Sequence, residues 1–162
     1  MPSRKAAATP EGTQAVVVNR RARHDYHVLE TVEAGIALRG TEVKSIRARK
    51  VSLAEAYAQV TDGEVYLIQM HVSPYEQGNR FNHDPLRPRK LLLHRRQIQR
   101  LKQKTQEKGL TLIPLSLYFR GRHLKVEIGL ARGKRTHDRR TDLARRDAER
   151  EIDRARRGER DG

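Results

Sequence analysis

Residues 110–131 read LTLIPLSLYFRGRHLKVEIGLA. Two apolar runs flank Arg120-Gly121, the arrangement of a β-hairpin. In the second run Leu124, Val126 and Ile128 alternate with Lys125 and Glu127, the period of a half-buried strand. Pro114 has no N–H to donate, so its strand lies at an edge or carries a bulge there. Further upstream, residues 57–70 (YAQVTDGEVYLIQM) place Asp62-Gly63 between two strand-like runs, a strong signal for a tight turn. Residues 26–38 (YHVLETVEAGIAL) give another strand, with Gly35 marking a bend or bulge. At least five strands follow from these patterns.

Two helices interrupt them. GTEVKSIRARK, residues 40–50, offers Thr41 as N-cap, Glu42 in the first turn and basic residues in the last. LHRRQIQRLKQKTQEKG, residues 93–109, sets Leu93, Ile98 and Leu101 on one face and ends on Gly109 as C-cap. Residues 71–89 hold three prolines and no clear period, so a long loop is expected between Met70 and Lys90. Short strands with a few inserted helices predict a mainly β protein with flanking helices, a small closed or partly closed barrel.

The chain has 162 residues, no cysteine and a formal charge of +15. Residues 1–14 are small and polar and read as a disordered N-terminal arm, not a signal peptide. The barrel is expected over residues 15–132. Residues 133–162 form a charged C-terminal tail with eleven Lys or Arg against eight Asp or Glu and almost no apolar surface, expected to be disordered in isolation. The tail thus accounts for only +3 of the charge, and the body carries the rest. An excess of that size on the body points to a polyanionic partner. No apolar run is long enough to cross a membrane and no basic amphipathic helix faces large apolar residues, so no membrane role is expected. The absence of cysteine fits a cytoplasmic protein.

Enzymatic chemistry has no positive support. His24 and His27 form an H-x-x-H pair without an obvious third ligand, and a surface or core histidine is the commoner outcome. GKRT at 133–136 resembles the end of a phosphate loop, but Ile128 stands where its first glycine would fall and Arg135 replaces the Mg²⁺-binding hydroxyl residue. No enzyme activity, cofactor or metal is expected. The basic clusters are more informative. Asn19, Arg20, Arg21, Arg23, His24 and Tyr26 combine phosphate-neutralising groups with a ring that can stack on unpaired bases. In RPRKLLLHRR, residues 87–96, most of the leucines read as core, but one reaching the surface could pack against an unstacked base.

Six collinear stretches carry a resemblance: NRRARHDY (19–26), EAGIALRGTEVKSIR (33–47), DGEVYLI (62–68), RKLLLHRRQI (89–98), LSLYF (115–119) and VEIGLARGKRTHDRR (126–140). Together they closely resemble SmpB, the SsrA-binding protein family of bacteria, from about Val16 to Arg157. The resemblance implies an oligonucleotide-binding (OB)-type β-barrel. It implies binding to the tRNA-like domain of transfer-messenger RNA (tmRNA) and delivery of alanyl-tmRNA to stalled ribosomes in trans-translation. It also implies a monomer that meets elongation factor Tu only indirectly, through aminoacylated tmRNA. Glu33, Leu92 and His94 match positions important for RNA binding, and His94 stands where relatives can carry asparagine. Lys44 and Lys90 are placed with them. Gly133, Lys134, Arg135, His137, Asp138, Arg139 and Arg140 match the segment at the ribosomal decoding centre. Ile152 matches an apolar residue of a tail that becomes helical on the ribosome and lies in the empty mRNA channel.

A carboxylate such as Glu33 suits RNA because bases carry amino and imino donors that Lys and Arg cannot recognise. Its bland alternative is pairing with a nearby arginine. Two other functions remain open at this point: a structural ribosomal protein or other basic OB-fold RNA binder, and a nuclease using His24, His27 or Asp25.

Overall fold

The hairpin that opens the sequence reading is the longest antiparallel pair of the fold. Strand β8 (Leu110–Arg120) runs into β9 (His123–Gly133), with Arg120 opposite His123. The turn is therefore Gly121-Arg122, one residue beyond the expected Arg120-Gly121, and Gly121 takes the left-handed φ of +63°. The computed structural model describes residues 12–75, 82–107 and 109–133.

The second expected hairpin is β4 (Tyr57–Thr61) and β5 (Glu64–Ile68). Asp62 and Gly63 both have positive φ, 51° and 76°, as a two-residue turn between twisted strands requires. The other strands are β1 (Gln14–Val18), β2 (Tyr26–Ile36), β3 (Val51–Ser52), β6 (His71–Val72) and β7 (Arg89–Leu92). The main sheet runs β1-β8-β4-β5-β7-β2-β9, and the β8–β9 pairing closes it into a ring, as expected for a barrel. β3 and β6 form a separate two-stranded sheet, so the expected 71–89 loop begins and ends in strand.

Three bulges shape the ring. Pro114 pairs with Ile128 and Ser116 with Glu127, leaving Leu115 extra, which resolves the proline alternative in favour of a bulge on an interior strand. The extra residue flips the strand's phase. Before it Leu112 enters the main core and Ile113 faces a second cluster; beyond it Leu117 enters the main core. In β2 the extra residue is Leu29, not Gly35. In β1 it is Val16.

Helix α1 (Arg20–Asp25) was not evident in the sequence, where its cations hide the single buried residue, Ala22. Ala22 covers Ile113, Leu115 and Ala131 on the outside of the barrel. Helix α2 (Gly40–Arg47) sends Ile46 into the main core, and α3 (Arg95–Thr105) sends Ile98 and Leu101. Thr41 is not the cap of α2. Arg39 occupies that position, and its backbone N–H donates to Glu42 Oε1 at 2.7 Å. Thr41 instead bonds His83 Nδ1 at 2.9 Å. Helix α3 starts after Leu93 and is capped at its C-terminus by Gln106; Gly109, with φ +85°, turns the chain into β8 rather than capping the helix.

One buried ion cluster fixes the stretch that leads into β7. Glu42 and Arg89 are both fully buried. Arg89 Nε donates to Glu42 Oε2 at 2.6 Å, while its Nη1 and Nη2 bond the carbonyls of Met70 and Pro85. Arg87 Nη2 reaches Glu42 Oε1 at 2.6 Å. With Arg87 Nε on Oε2 at 3.0 Å and the Arg39 N–H on Oε1, all four acceptor sites of Glu42 are used, as a buried charge requires.

Candidate nucleic-acid interface

The strand order places four expected RNA-binding residues, Glu33, Lys90, Leu92 and His94, in one concavity of about 620 Å³ that is also walled by Gly35, Glu64 and Lys125. Gly35 makes this possible. It pairs with Leu92 of β7 on one side and Lys125 of β9 on the other, so an apolar group and a cation flank a residue without a side chain. Leu91 points into the core and is fully buried; Leu92, next in the strand, is 52% exposed. Leu93 is half-buried. Leu92 is thus the one leucine of the three that reaches the surface.

His94 is exposed at the N-cap of α3, where its backbone N–H bonds Gln97 Oε1 at 2.9 Å. Arg100 holds that helix to β2 through a two-pronged pair with Glu30, at 2.5 and 2.9 Å. Lys90 Nζ lies 3.3 Å from Oε2 of Glu64 on the neighbouring strand β5. Both partners are solvent-accessible, so the pair is weak and available for exchange with phosphate.

Glu33 faces the same concavity and does have an arginine partner. Its Oε2 accepts from Arg120 Nη2 at 2.8 Å and from the Tyr118 hydroxyl at 2.5 Å. The Arg120 hydrogen bond, aided by Tyr118, holds the Glu33 carboxyl below the usual range against the opposing effect of partial burial. Burial and the Glu33 bond push the Tyr118 hydroxyl well above its ordinary value, so it stays a donor. Directly across the strand pair, Glu127 faces Glu33. Burial raises its carboxyl, Arg23 opposes that, and Glu33 adds to it.

The remaining expected residues lie elsewhere. Asn19, Arg21 and Tyr26 line a smaller concavity of about 210 Å³ with Asp25, Glu55 and Tyr57. Asn19 is buried, and its amide donates to the carbonyls of Pro114 at 2.9 Å and Leu53 at 3.3 Å, so it serves the fold. Arg21 pairs with Glu55 at 3.2 Å. Arg20, Arg23 and His24 are exposed on α1, and His24 Nδ1 lies 2.8 Å from Asp25 Oδ1. Lys44 stands 5.4 Å from the centre of the Tyr75 ring, a cation–π contact. Gly133 closes β9 opposite Tyr26. Lys134, Arg135, His137, Asp138, Arg139, Arg140 and Ile152 lie outside the described residues. Among the described residues no three His, Asp or Glu side chains gather as metal ligands, and no helix is long and apolar enough to cross a membrane.

Sequence reasoning missed Tyr118, Arg120 and Lys125 as neighbours of Glu33. Tyr118 sits inside an apolar run, and only the β8–β9–β2 pairing brings it to the carboxylate.

A closed barrel whose open concavity sets an exposed leucine among two lysines and two glutamates belongs with the nucleic-acid-binding β-barrels. Residues 16–158 match the family model described as SmpB protein. The SsrA-binding protein of Carboxydothermus hydrogenoformans is 61% identical over 140 residues, 86% of this chain and 94% of that protein. That of Desulforudis audaxviator is 59% identical over 152 residues, 94% of this chain and 98% of that protein. A solved structure described as "tmRNA-SmpB: a journey to the center of the bacterial ribosome" is similar at a TM-score of 0.65 and 51% identity, covering 82% of this chain and 94% of that one. The chain belongs to the SmpB family.

Proposed function

We propose that this chain is a tmRNA-binding adaptor that delivers alanyl-tmRNA to stalled bacterial ribosomes in trans-translation. The observation that carries this reading is Leu92, 52% exposed beside Glu33, Lys125 and Lys90. An apolar side chain costs free energy in water, and here it sits where a splayed base can pack on it while flanking groups contact base edge and phosphate. The relatives are SsrA-binding proteins by name, and the solved relative is described together with tmRNA and the ribosome. The protein acts in the cytoplasm as a monomer, without catalysis, and meets elongation factor Tu through the aminoacylated RNA.

Within this reading, the ring from Gln14 to Gly133 is the RNA-binding barrel, one residue longer at each end than the expected 15–132, and the residues before it are an arm. Residues 133–162 serve the ribosome. Gly133, Lys134, Arg135, His137, Asp138, Arg139 and Arg140 meet the decoding centre, and the segment containing Ile152 occupies the mRNA channel as a helix. Arg20, Arg21, Arg23, His24, Tyr26 and Lys44 add phosphate and stacking contacts to the RNA set. Affinity capture of the full-length chain from bacterial lysate tests the proposal. tmRNA should co-purify, with the chain far below one copy per ribosome. One copy on every ribosome without tmRNA would make it a structural ribosomal protein.

A further inference from the structure

Glu33 presents its carboxylate to the concavity, yet only one oxygen is open. Oε2 accepts from the Tyr118 hydroxyl and from both Nη2 and Nε of Arg120, at 2.5, 2.8 and 3.2 Å. Three donors exhaust the lone pairs of one oxygen. Among the described residues none donates to Oε1. Tyr118 is fully buried, so strand packing fixes its hydroxyl whether or not RNA is bound.

We propose that Tyr118 and Arg120 are positioning residues that clamp Oε2, so that Glu33 reads RNA through Oε1 alone and accepts from one exocyclic amino group, adenine N6 or cytosine N4. This rests on the reading of the concavity as an RNA interface. Guanine is the two-point partner of a carboxylate, because N1–H and N2–H lie side by side on its Watson–Crick edge. Matching both requires two free oxygens. With Oε2 filled, guanine leaves one donor unpaired, a costly outcome in a desolvated contact. Adenine and cytosine offer a single amino group that one acceptor satisfies.

A specificity change separates this role from simple support of the fold. In Glu33→Gln the clamp still demands an oxygen. The amide oxygen therefore turns to Tyr118 and Arg120, and the NH₂ group takes the place of Oε1. A donor then faces the amino group of the base. The base that fits instead carries a carbonyl there: uracil in place of cytosine, or hypoxanthine in place of adenine.

The test uses the full-length chain and the tRNA-like domain of tmRNA with single nucleotide replacements. Purine riboside for adenosine and zebularine for cytidine each remove the amino group; inosine for guanosine removes N2. One adenosine or cytidine position should lose about tenfold in affinity on amino removal, and no guanosine position should. Glu33→Gln should lose about tenfold on natural RNA and regain it when that position becomes inosine or uridine. Adding Tyr118→Phe and Arg120→Met to Glu33→Gln should free the amide to turn over and abolish the regained preference. Arg120 is exposed, so Glu33→Gln with Arg120→Met carries this arm if the triple variant fails to fold. Dominant interference at a guanosine, wild-type binding by Glu33→Gln, or base preference unmoved by the clamp variants overturns the proposal. A wild-type chain without affinity for the tRNA-like domain overturns the adaptor function itself.

Discussion

The side chain of Leu92 lies across Gly35. A β-carbon on Gly35 would sit 3.2 Å from Leu92 Cβ and 3.4 Å from Leu92 Cδ1. Gly35→Ala therefore has to displace Leu92, and since Leu92 is half exposed it gives way toward solvent rather than into the core. Melting should report a modest loss, about 1 kcal/mol. RNA binding measured by filter retention should fall more than stability, because the displaced residue is the one proposed to meet the base. Leu92→Asp should cost about 1–3 kcal/mol of binding, as losing a packing partner for a base does, with little change in Tm. Equal losses of Tm and affinity in both variants would place Leu92 in the fold instead.

Glu42 joins α2, β7 and the residues before it through Arg39, Arg87 and Arg89. Burial raises its carboxyl, but the bonds from Arg87, Arg39 and Arg89 outweigh this and leave it below the ordinary carboxylate value. The folded value is the lower one, so the stabilisation is complete above about pH 4.5 and is lost as pH falls through the folded value. Glu42→Gln leaves Arg89 buried and unpaired, and should cost about 3–5 kcal/mol at pH 7. The gap between variant and wild type in urea unfolding should narrow below pH 4. A constant gap would mean the charge of Glu42 contributes nothing.

The parts legible in the sequence were those with local signals. Asp62-Gly63 marks its turn because that turn needs two positive φ values, and Val126 and Ile128 declare their strand by alternation. The exposed leucine among three was foreseeable, although alternation alone does not say which. What escaped was non-local. Leu115 and Leu29 are bulges because of what lies opposite them, and no residue type encodes that. Glu42 outcompeted Thr41 because a carboxylate three residues in can reach back to the capping N–H while binding two arginines. From sequence a base and an arginine are alternative partners for Glu33, whereas its arginine and tyrosine bonds occupy Oε2 and leave Oε1 open.

Glu127 has the opposite pH signature to Glu42. Burial raises its carboxyl above 4.5, Arg23 partly offsets this, and Glu33 across the strand pair adds to it. A raised folded value means that the protonated form favours folding: the benefit is full below pH 4.5 and lost as pH rises through the folded value. At neutral pH this half-buried charge, opposite Glu33, is a cost. Glu127→Gln should therefore raise Tm at pH 7 and leave it unchanged near pH 4. A lower Tm at pH 7 would show that Arg23 more than compensates the burial.

The end of the barrel decides where the tail can be removed. Arg132 and Gly133 are the last residues of β9, opposite His27 and Tyr26. A chain ending at Gly133 keeps every strand pair of the ring, whereas one ending at Ala131 forfeits two rungs with β2 and one with β8. The tail carries only a small part of the +15 charge, with eleven basic residues against eight acidic ones. Its removal should therefore release few phosphate contacts. The slope of log affinity for the tRNA-like domain against log salt should be nearly unchanged, and steep in both chains. Tagging of stalled peptides should nevertheless be abolished, because every residue proposed to meet the decoding centre and the mRNA channel except Gly133 is gone. A point variant makes the same separation without truncation. At Gly133 a β-carbon would lie 3.8 Å from Tyr26 Cε1, an ordinary contact, so Gly133→Glu can be accommodated by the barrel. Its Tm and tmRNA affinity should match wild type while tagging fails, which would locate the defect on the ribosome. Full tagging by the chain ending at Gly133 would remove the tail from the mechanism.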